Sequence, residues 1–166
     1  MNEGRYYFAR DGGKAFFKLT GNLKYTNAGK FDAFLDRLLE KEDNFDEAMI
    51  DLSEADFIDS TNLGFLARIS EYMNDRYCKK VTIYSPDREI NNVLESVGFD
   101  EVFILVKNEN RRKPAVEEVS PAEYEERQRA DMMLDSHKSL MRVSDKGKNA
   151  FKDVVELLEG KAKKKP

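Results

Sequence analysis

Residues 48–64 read Ala-Met-Ile-Asp-Leu-Ser-Glu-Ala-Asp-Phe-Ile-Asp-Ser-Thr-Asn-Leu-Gly, and this stretch decides the fold class. Its first five residues form an apolar run that is typical of a buried strand. From Leu63 to Met73 the apolar residues recur at helical spacing, which predicts a helix. A strand followed directly by a helix is the unit of α/β proteins, and such proteins expose functional groups between the two elements.

Towards the N-terminus the sequence predicts a hairpin and then a helix. Two short aromatic-rich runs, 6–9 and 15–19, are joined by Asp11-Gly12-Gly13, which is a hairpin signature because glycine adopts positive φ easily. After Gly21 the apolar residues between Phe31 and Leu39 lie on one helical face.

Towards the C-terminus a strand is predicted at 81–84 and a third helix at about 86–97, with Gly98 as its terminator. Residues 102–106 are apolar and favour either a strand or a short helix. The predicted order is therefore ββαβαβα plus one uncertain element. This order indicates an α/β fold, a small mixed β-sheet with packed helices.

The last third of the chain is predicted to be helical. We expect a first domain over 1–108, a solvated linker over 109–119, and a helical hairpin with a basic tail over 120–166. The capping-box spacing that begins at Ser120 predicts the start of the first hairpin helix. Each hairpin helix has an apolar stripe, which must pack on the first domain, on a second copy or on a partner.

Composition excludes several classes of function. The chain has 166 residues, a formal net charge of −4, one cysteine and one histidine. A single Cys78 excludes an internal disulfide, and the sole His137 excludes a poly-histidine metal site. His137 lies on the apolar stripe of its predicted helix, so we expect it to be buried and hydrogen-bonded. With no membrane span, signal peptide or strong basic charge, we expect a cytoplasmic protein without direct contact to nucleic acid or membrane.

Ser60 and Thr61 are the candidate functional hydroxyls, because they fall where the helix after the central strand begins. A hydroxyl at that position can cap the free backbone N–H groups of the helix. A phosphate would be favoured there by the same N–H groups and by the helix dipole. From the residues alone, capping and phosphorylation both remain open, and capping is the more common role.

Four ordered segments resemble the STAS domain, most closely that of bacterial anti-sigma-factor antagonists. The resemblance covers about residues 6–106, and its most specific part is the Asp-Ser-Thr-Asn-Leu-Gly box at 59–64. The four segments are Leu19-Thr-Gly-Asn-Leu23, the stretch from Met49 to Gly64, Val81-Thr-Ile-Tyr-Ser-Pro86, and Leu94-Glu-Ser-Val-Gly-Phe99.

The resemblance implies partner switching. The unphosphorylated antagonist binds a GHKL-type serine kinase that is also the anti-sigma factor, and a PPM-type serine phosphatase reverses the phosphorylation that ends binding. By position the phosphorylated residue is Ser60, with Thr61 as a secondary candidate. No enzymatic activity, cofactor or metal is implied. The implied partner-binding residues are Asn22, Lys24, Tyr25, Asp59, Thr61, Asn62, Leu63 and Gly64.

The sequence departs from the family pattern at two places. Asn22 and Lys24 stand where the family commonly has acidic residues, and Asn62 stands where glycine is frequent. The alternative function is a STAS scaffold subunit of a transport or stress-sensing complex that does not depend on phosphorylation. We expect the C-terminal helices either to regulate the switch or to recruit a second protein partner.

Overall fold

The computed structural model describes residues 2–40, 45–108 and 114–164, with side chains as far as residue 160. Within these residues the chain forms a seven-stranded mixed sheet, and most of its strands are ordered β6-β5-β3-β2-β1-β7, with β4 pairing to β2 beyond the end of β3. The strands are β1 Arg5–Asp11, β2 Lys14–Leu23, β3 Glu47–Asp51, β4 Ala55–Ile58, β5 Thr82–Tyr84, β6 Ile104–Val106 and β7 Glu117–Glu118.

Helical crossovers explain why the centre of the sheet is parallel. The hairpin β1–β2 is antiparallel, whereas β2, β3, β5 and β6 pair in parallel. Parallel strands need a long connection, and the intervening helices supply it. The helices are α1 Gly29–Glu40, α2 Ser60–Tyr77, α3 Arg88–Ser96, α4 Phe99–Val102, α5 Glu126–Val143 and α6 Asp145–Lys164.

Aromatic side chains from the hairpin and from the helices share one core. Tyr6 of β1 stacks on Phe31 of α1 with ring centroids 4.6 Å apart, and Phe65 of α2 meets Phe31 edge-on at 5.5 Å. All three rings are buried, so this cluster fixes α1 and α2 against the sheet.

The α/β fold class is confirmed, and the structure differs from or completes the predicted element order at three places. The strand β4 at 55–58, which lies beside β2, was not predicted. Residues 102–106 contain both predicted alternatives, since α4 ends at Val102 and β6 follows. The first hairpin helix begins at Glu126 rather than near Ser120, and the Gln128 side chain accepts a hydrogen bond from the Glu125 N–H at 3.0 Å.

The interval that was predicted as a solvated linker contains structure of its own. Residues 117–118 pair with β1 as the edge strand β7, and the adjacent Val119 is buried. Tyr124 then lies against Gly29 of α1, which explains why the chain stays extended before α5. Residues 109–113 lie outside the described residues, and the division into domain, linker and extension stays a prediction.

The α5–α6 hairpin packs on the first domain, which is one of the three placements that the sequence allowed. Helix α5 lies along α2, and α6 packs back on α5. The Ser136 region of α5 comes so close to Gly64 that a Cβ on that glycine would stand 2.4 Å from the Ser136 carbonyl oxygen. Glycine at 64 therefore permits a helix contact that any side chain would displace.

Cys78 adopts a left-handed conformation at the C-cap of α2, with φ 54°. We expect Cys78→Gly to stabilise the protein by roughly 0.5–1 kcal/mol, because glycine has no Cβ to strain in that conformation. Urea denaturation measures the change. Cys78→Ala is the control: it removes the thiol but keeps the Cβ, and an equal gain would show that backbone strain is not the cause.

Asp32 joins α1 to the chain before α5. Its carboxylate accepts hydrogen bonds from Tyr124 Oη at 2.7 Å and from an Arg68 guanidinium nitrogen at 3.2 Å. Burial is the main cause that raises the pKa of Asp32 above the ordinary value of 3.8, and the negative charge of Asp36 raises it further. The hydrogen bond from Tyr124 and the positive charge of Arg68 lower the pKa but do not cancel the rise. The folded protein therefore holds a proton at Asp32 more tightly than the unfolded chain does.

We expect this linkage to lower stability as pH rises from about 3.8 through the raised pKa, because the unfolded chain is then ionised and folding must either take up a proton or bury the charged carboxylate. In Asp32→Asn that part of the pH dependence should disappear, as measured by urea denaturation at several pH values. Asp75→Asn removes an exposed carboxylate of α2 that is not among the charges acting on Asp32, and it serves as the control. Identical profiles for wild type and Asp32→Asn would contradict the prediction.

Candidate functional site

The parallel pairing of β2 with β4 builds the candidate site. Leu23 is the register partner of Ile58, so both strands end at the same edge of the sheet. The residues that follow, Lys24-Tyr25 on one side and Asp59-Ser60 on the other, are thereby brought together although they are more than thirty positions apart.

Asp59 holds this arrangement through hydrogen bonds to both segments. One carboxylate oxygen accepts from the backbone N–H of Asn62 at 3.0 Å and from its side-chain amide at 2.9 Å. The other oxygen accepts from the backbone N–H of Tyr25 at 2.6 Å. Asp59 is thus the N-cap of α2, and its side chain also links the end of β2 to the end of β4.

Asn62 extends the network into the core. Its side-chain oxygen accepts a hydrogen bond from the Tyr6 hydroxyl, and both groups are buried. Burial is the main cause that raises the pKa of Tyr6, the Asp59 charge raises it further, and the Asn62 bond opposes both. Asn62 therefore satisfies a buried hydroxyl that glycine at this position would leave without this partner.

Ser60 is the first residue of α2, is partly exposed, and contacts His137 of α5. Its Oγ lies 2.7 Å from His137 Nε2. The other ring nitrogen, Nδ1, lies within hydrogen-bond distance of the Met133 carbonyl oxygen, which can only accept. Nδ1 therefore carries a proton, and in the neutral ring Nε2 is the acceptor, so Ser60 then donates its hydroxyl hydrogen bond to His137.

Two exposed aromatic residues belong to the strand ends that meet at this site. Tyr25 is 41% exposed and Phe57 is 46% exposed. The Lys24 ammonium lies 5.9 Å from the centre of the Phe57 ring, within cation–π range. Large exposed aromatic rings next to polar groups are typical of protein interfaces, where aromatic residues carry much of the binding energy.

The structure separates the sequence-predicted residues into two groups. Lys24, Tyr25, Asp59 and Ser60 lie together at the surface, and Asn22 is half-buried in β2 opposite Phe57. The rest of the box is covered. Thr61, Asn62, Leu63 and Gly64 are buried, and Thr61 is only 2% exposed.

Sequence reasoning missed Phe57 and the partner of His137. Phe57-Ile58 reads as one apolar pair, but in the structure Ile58 is buried whereas Phe57 is exposed. The expectation that His137 is buried and hydrogen-bonded is confirmed. Its contact with Ser60 spans 77 positions, and no local pattern signals it.

Neither a metal cluster nor a membrane span occurs in the described part of the chain. Among residues 2–40, 45–108 and 114–164 no group of three His, Cys, Asp or Glu side chains converges to hold a metal ion. No helix in the same ranges is long and apolar enough to cross a membrane.

One comparison with known proteins is informative. The family model described as STAS domain matches residues 9–115, which is more than half of the chain. The match ends before α5, so the helix that contacts Ser60 lies outside it. No curated protein matches the chain in sequence.

Asp59 should contribute more to stability than an ordinary helix cap. We expect Asp59→Ala to cost about 2–3 kcal/mol, because it removes the cap of α2 and the tie to Tyr25 together. Asp87→Ala is the matched control, since the Asp87 side chain caps α3 through one hydrogen bond to the Ile90 N–H at 3.0 Å. That variant should cost about 1 kcal/mol. Equal losses of unfolding free energy for the two variants in urea denaturation would contradict the role of Asp59 in linking the two strand ends.

Proposed function

Because the chain belongs to the STAS domain family, we propose that it is an anti-sigma factor antagonist that works by partner switching, with Ser60 as the phosphorylated switch. STAS domains are in general binding domains rather than enzymes. The proposal gives this protein no catalytic step of its own. It is the substrate of a serine kinase and the binding partner of that kinase.

The observation that supports the proposal is the position of Ser60. Its hydroxyl stands at the start of α2, and the exposed residues Tyr25 and Phe57 belong to the two strand ends that meet there. A phosphate on Ser60 would add about −1.5 to −2 charges next to the apolar part of this surface. Enclosing that charge in a protein interface without a cationic partner is costly, so partner binding should be lost.

The same phosphate should leave the fold intact. Ser60 is the first residue of α2, where a negative charge interacts favourably with the helix dipole. Phosphorylation would therefore act on binding rather than on folding. This separation is what a reversible switch requires.

The partners follow from the family resemblance. We propose a GHKL-type serine kinase that is the anti-sigma factor, and a PPM-type serine phosphatase that restores binding. Phosphorylation needs ATP, which places the cycle in the bacterial cytoplasm. We do not propose Thr61 as a second site, because its side chain is buried under the first turn of α2.

A second candidate function rests on the hydrogen bond between Ser60 and His137. A hydroxyl that is engaged inside the protein has a structural role already, as it would in a STAS scaffold subunit that phosphate does not switch. The two functions differ in one measurable respect, the dependence of partner binding on the state of Ser60.

The test is a pull-down from lysate of the source bacterium with four baits, analysed by mass spectrometry. Wild type and Ser60→Ala should retain a GHKL-type kinase, and Ser60→Asp should lose it by at least about tenfold. Ser120→Asp is the matched control, because it adds the same charge at another exposed serine. It should bind like wild type.

A kinase that all four baits retain equally would contradict the switch. Transporter subunits or a large stress-sensing complex on all baits would instead support the scaffold function. If Ser120→Asp also lost the kinase, net charge rather than the Ser60 site would be responsible. Phosphate-affinity gels of the protein from the same cells then show directly whether Ser60 carries phosphate.

A further inference from the structure

Helix α5 covers the face of α2 that begins with Ser60. The His137 ring contacts the Ser60 hydroxyl, and one turn further along α2 the Ser136 backbone lies directly over Gly64. Both contacts involve residues that the family resemblance assigns to partner binding. A segment of the chain itself therefore occupies part of the proposed docking surface.

The contact with His137 occupies one side of the Ser60 hydroxyl, where a phosphate would compete with the imidazole ring. Phosphoryl transfer requires the phosphorus atom to approach Oγ closely and in line with its leaving group. In the structure the hydroxyl points at His137 Nε2, 2.7 Å away, and His137 itself is buried at 4% exposure. An imidazole and a phosphoryl group cannot both occupy that side of Ser60.

Helix α5 is held on the first domain by apolar and polar contacts together. Met132 and Leu140 are buried apolar residues of α5, and Ser136, His137 and Ser139 are buried polar ones. The Arg142 guanidinium pairs with the Glu71 carboxylate through contacts of 2.8 and 3.3 Å. The polar groups form hydrogen bonds with water when they separate, so this interface opens at less cost than a wholly apolar one.

The chain before α5 is attached to the first domain by contacts that do not involve the interface between α2 and α5. β7 pairs with β1, and the Tyr124 hydroxyl donates to Asp32 of α1 at 2.7 Å. Helix α5 begins two residues after Tyr124. The hairpin can therefore leave α2 and stay tethered beside it, which makes reclosing fast and concentration-independent.

From these contacts we infer that the α5–α6 hairpin is an autoinhibitory cover, which must leave α2 before a kinase can bind and phosphorylate Ser60. The inference rests on the proposed function and adds a closed state to it. It also gives the C-terminal extension a role that the match to residues 9–115 does not include.

One alternative role of the same contact predicts the opposite result. A histidine that accepts the serine proton can act as a general base and assist phosphoryl transfer. Opening the hairpin would then slow phosphorylation, whereas removing a cover accelerates it. The sign of the effect decides between the two roles.

The first experiment measures opening without any partner. Diethyl pyrocarbonate acylates accessible histidine, and His137 is the sole histidine of the full chain. Gly64→Ala should raise the rate of modification about tenfold or more, because its Cβ would overlap the Ser136 carbonyl oxygen. Gly160→Ala is the matched control, since no atom lies within 4 Å of a Cβ there, and its rate should equal that of wild type.

The second experiment measures phosphorylation of the full chain by the kinase that the Ser60→Ala bait captures. Gly64 itself lies in the proposed docking segment, so a variant on the hairpin side is needed. Arg142→Glu places two acidic groups together at the Glu71 contact and should raise both the acylation rate and the phosphorylation rate about two- to fivefold. Adding Glu71→Arg to Arg142→Glu should return both rates towards wild type.

Each outcome has one meaning. Parallel increases in acylation and phosphorylation support the cover. Faster acylation with unchanged or slower phosphorylation overturns it and leaves the proposed function standing. Unchanged acylation in both Gly64→Ala and Arg142→Glu overturns the closed contact itself. If no kinase distinguishes Ser60→Ala from Ser60→Asp, the proposed function fails and the inference fails with it.

Discussion

The carboxylate of Asp59 is the interaction on which the rest of the site depends. It caps α2, fixes Asn62 and holds the backbone of Tyr25, so it joins the ends of two parallel strands to the start of a helix. Ser60 can present its hydroxyl in a defined direction only because the preceding residue is fixed in this way. The capping and switching roles are therefore compatible, since Asp59 provides the cap and the Ser60 hydroxyl, which contacts His137, is not needed for it.

The elements that pack on one another were predictable from the sequence because their patterns are local. The hairpin, α1, the central strand and α2 were predicted from apolar periodicity and from the glycines at 12 and 13, and the structure contains all four. The short strand β4 was not predicted. Its four residues are too few to show alternation, and its pairing with β2 depends on a register that only the folded sheet defines.

In the candidate site, too, only the local features were predictable from the sequence. The position of Ser60 at a helix start follows from the residues around it, and its role follows from the resemblance. The burial of Gly64 does not follow from either, because it results from α5 lying on α2, and Asn62 is buried because its side chain reaches Tyr6 in the core. The contact between residues 60 and 137 depends on where the α5–α6 hairpin packs. An apolar stripe in the sequence indicates that a helix packs on something, but it does not indicate on which surface.

Asn62 shows how a departure from a family pattern can have a structural reason. Glycine is frequent at this position in the family, whereas here the side chain links the Tyr6 hydroxyl to Asp59. The start of α2 is thereby anchored to β1 in the core. An anchored helix start keeps the geometry of Ser60 unchanged whether α5 is present or has moved away, so opening the hairpin would expose the site without unfolding it.

The closed hairpin and a phosphate on Ser60 compete for the same space, and this competition acts in both directions. If the closed hairpin opposes phosphorylation, a phosphate on Ser60 opposes closing by the same free energy, as linkage requires. Phosphorylation would then have two effects, the loss of the kinase as a partner and the release of α5 from α2. The released hairpin exposes its buried polar face, including His137, only in the phosphorylated state or when a partner is bound. The extension would thereby report the state of Ser60 to a second partner, which neither a bare STAS domain nor a passive helical tail can do.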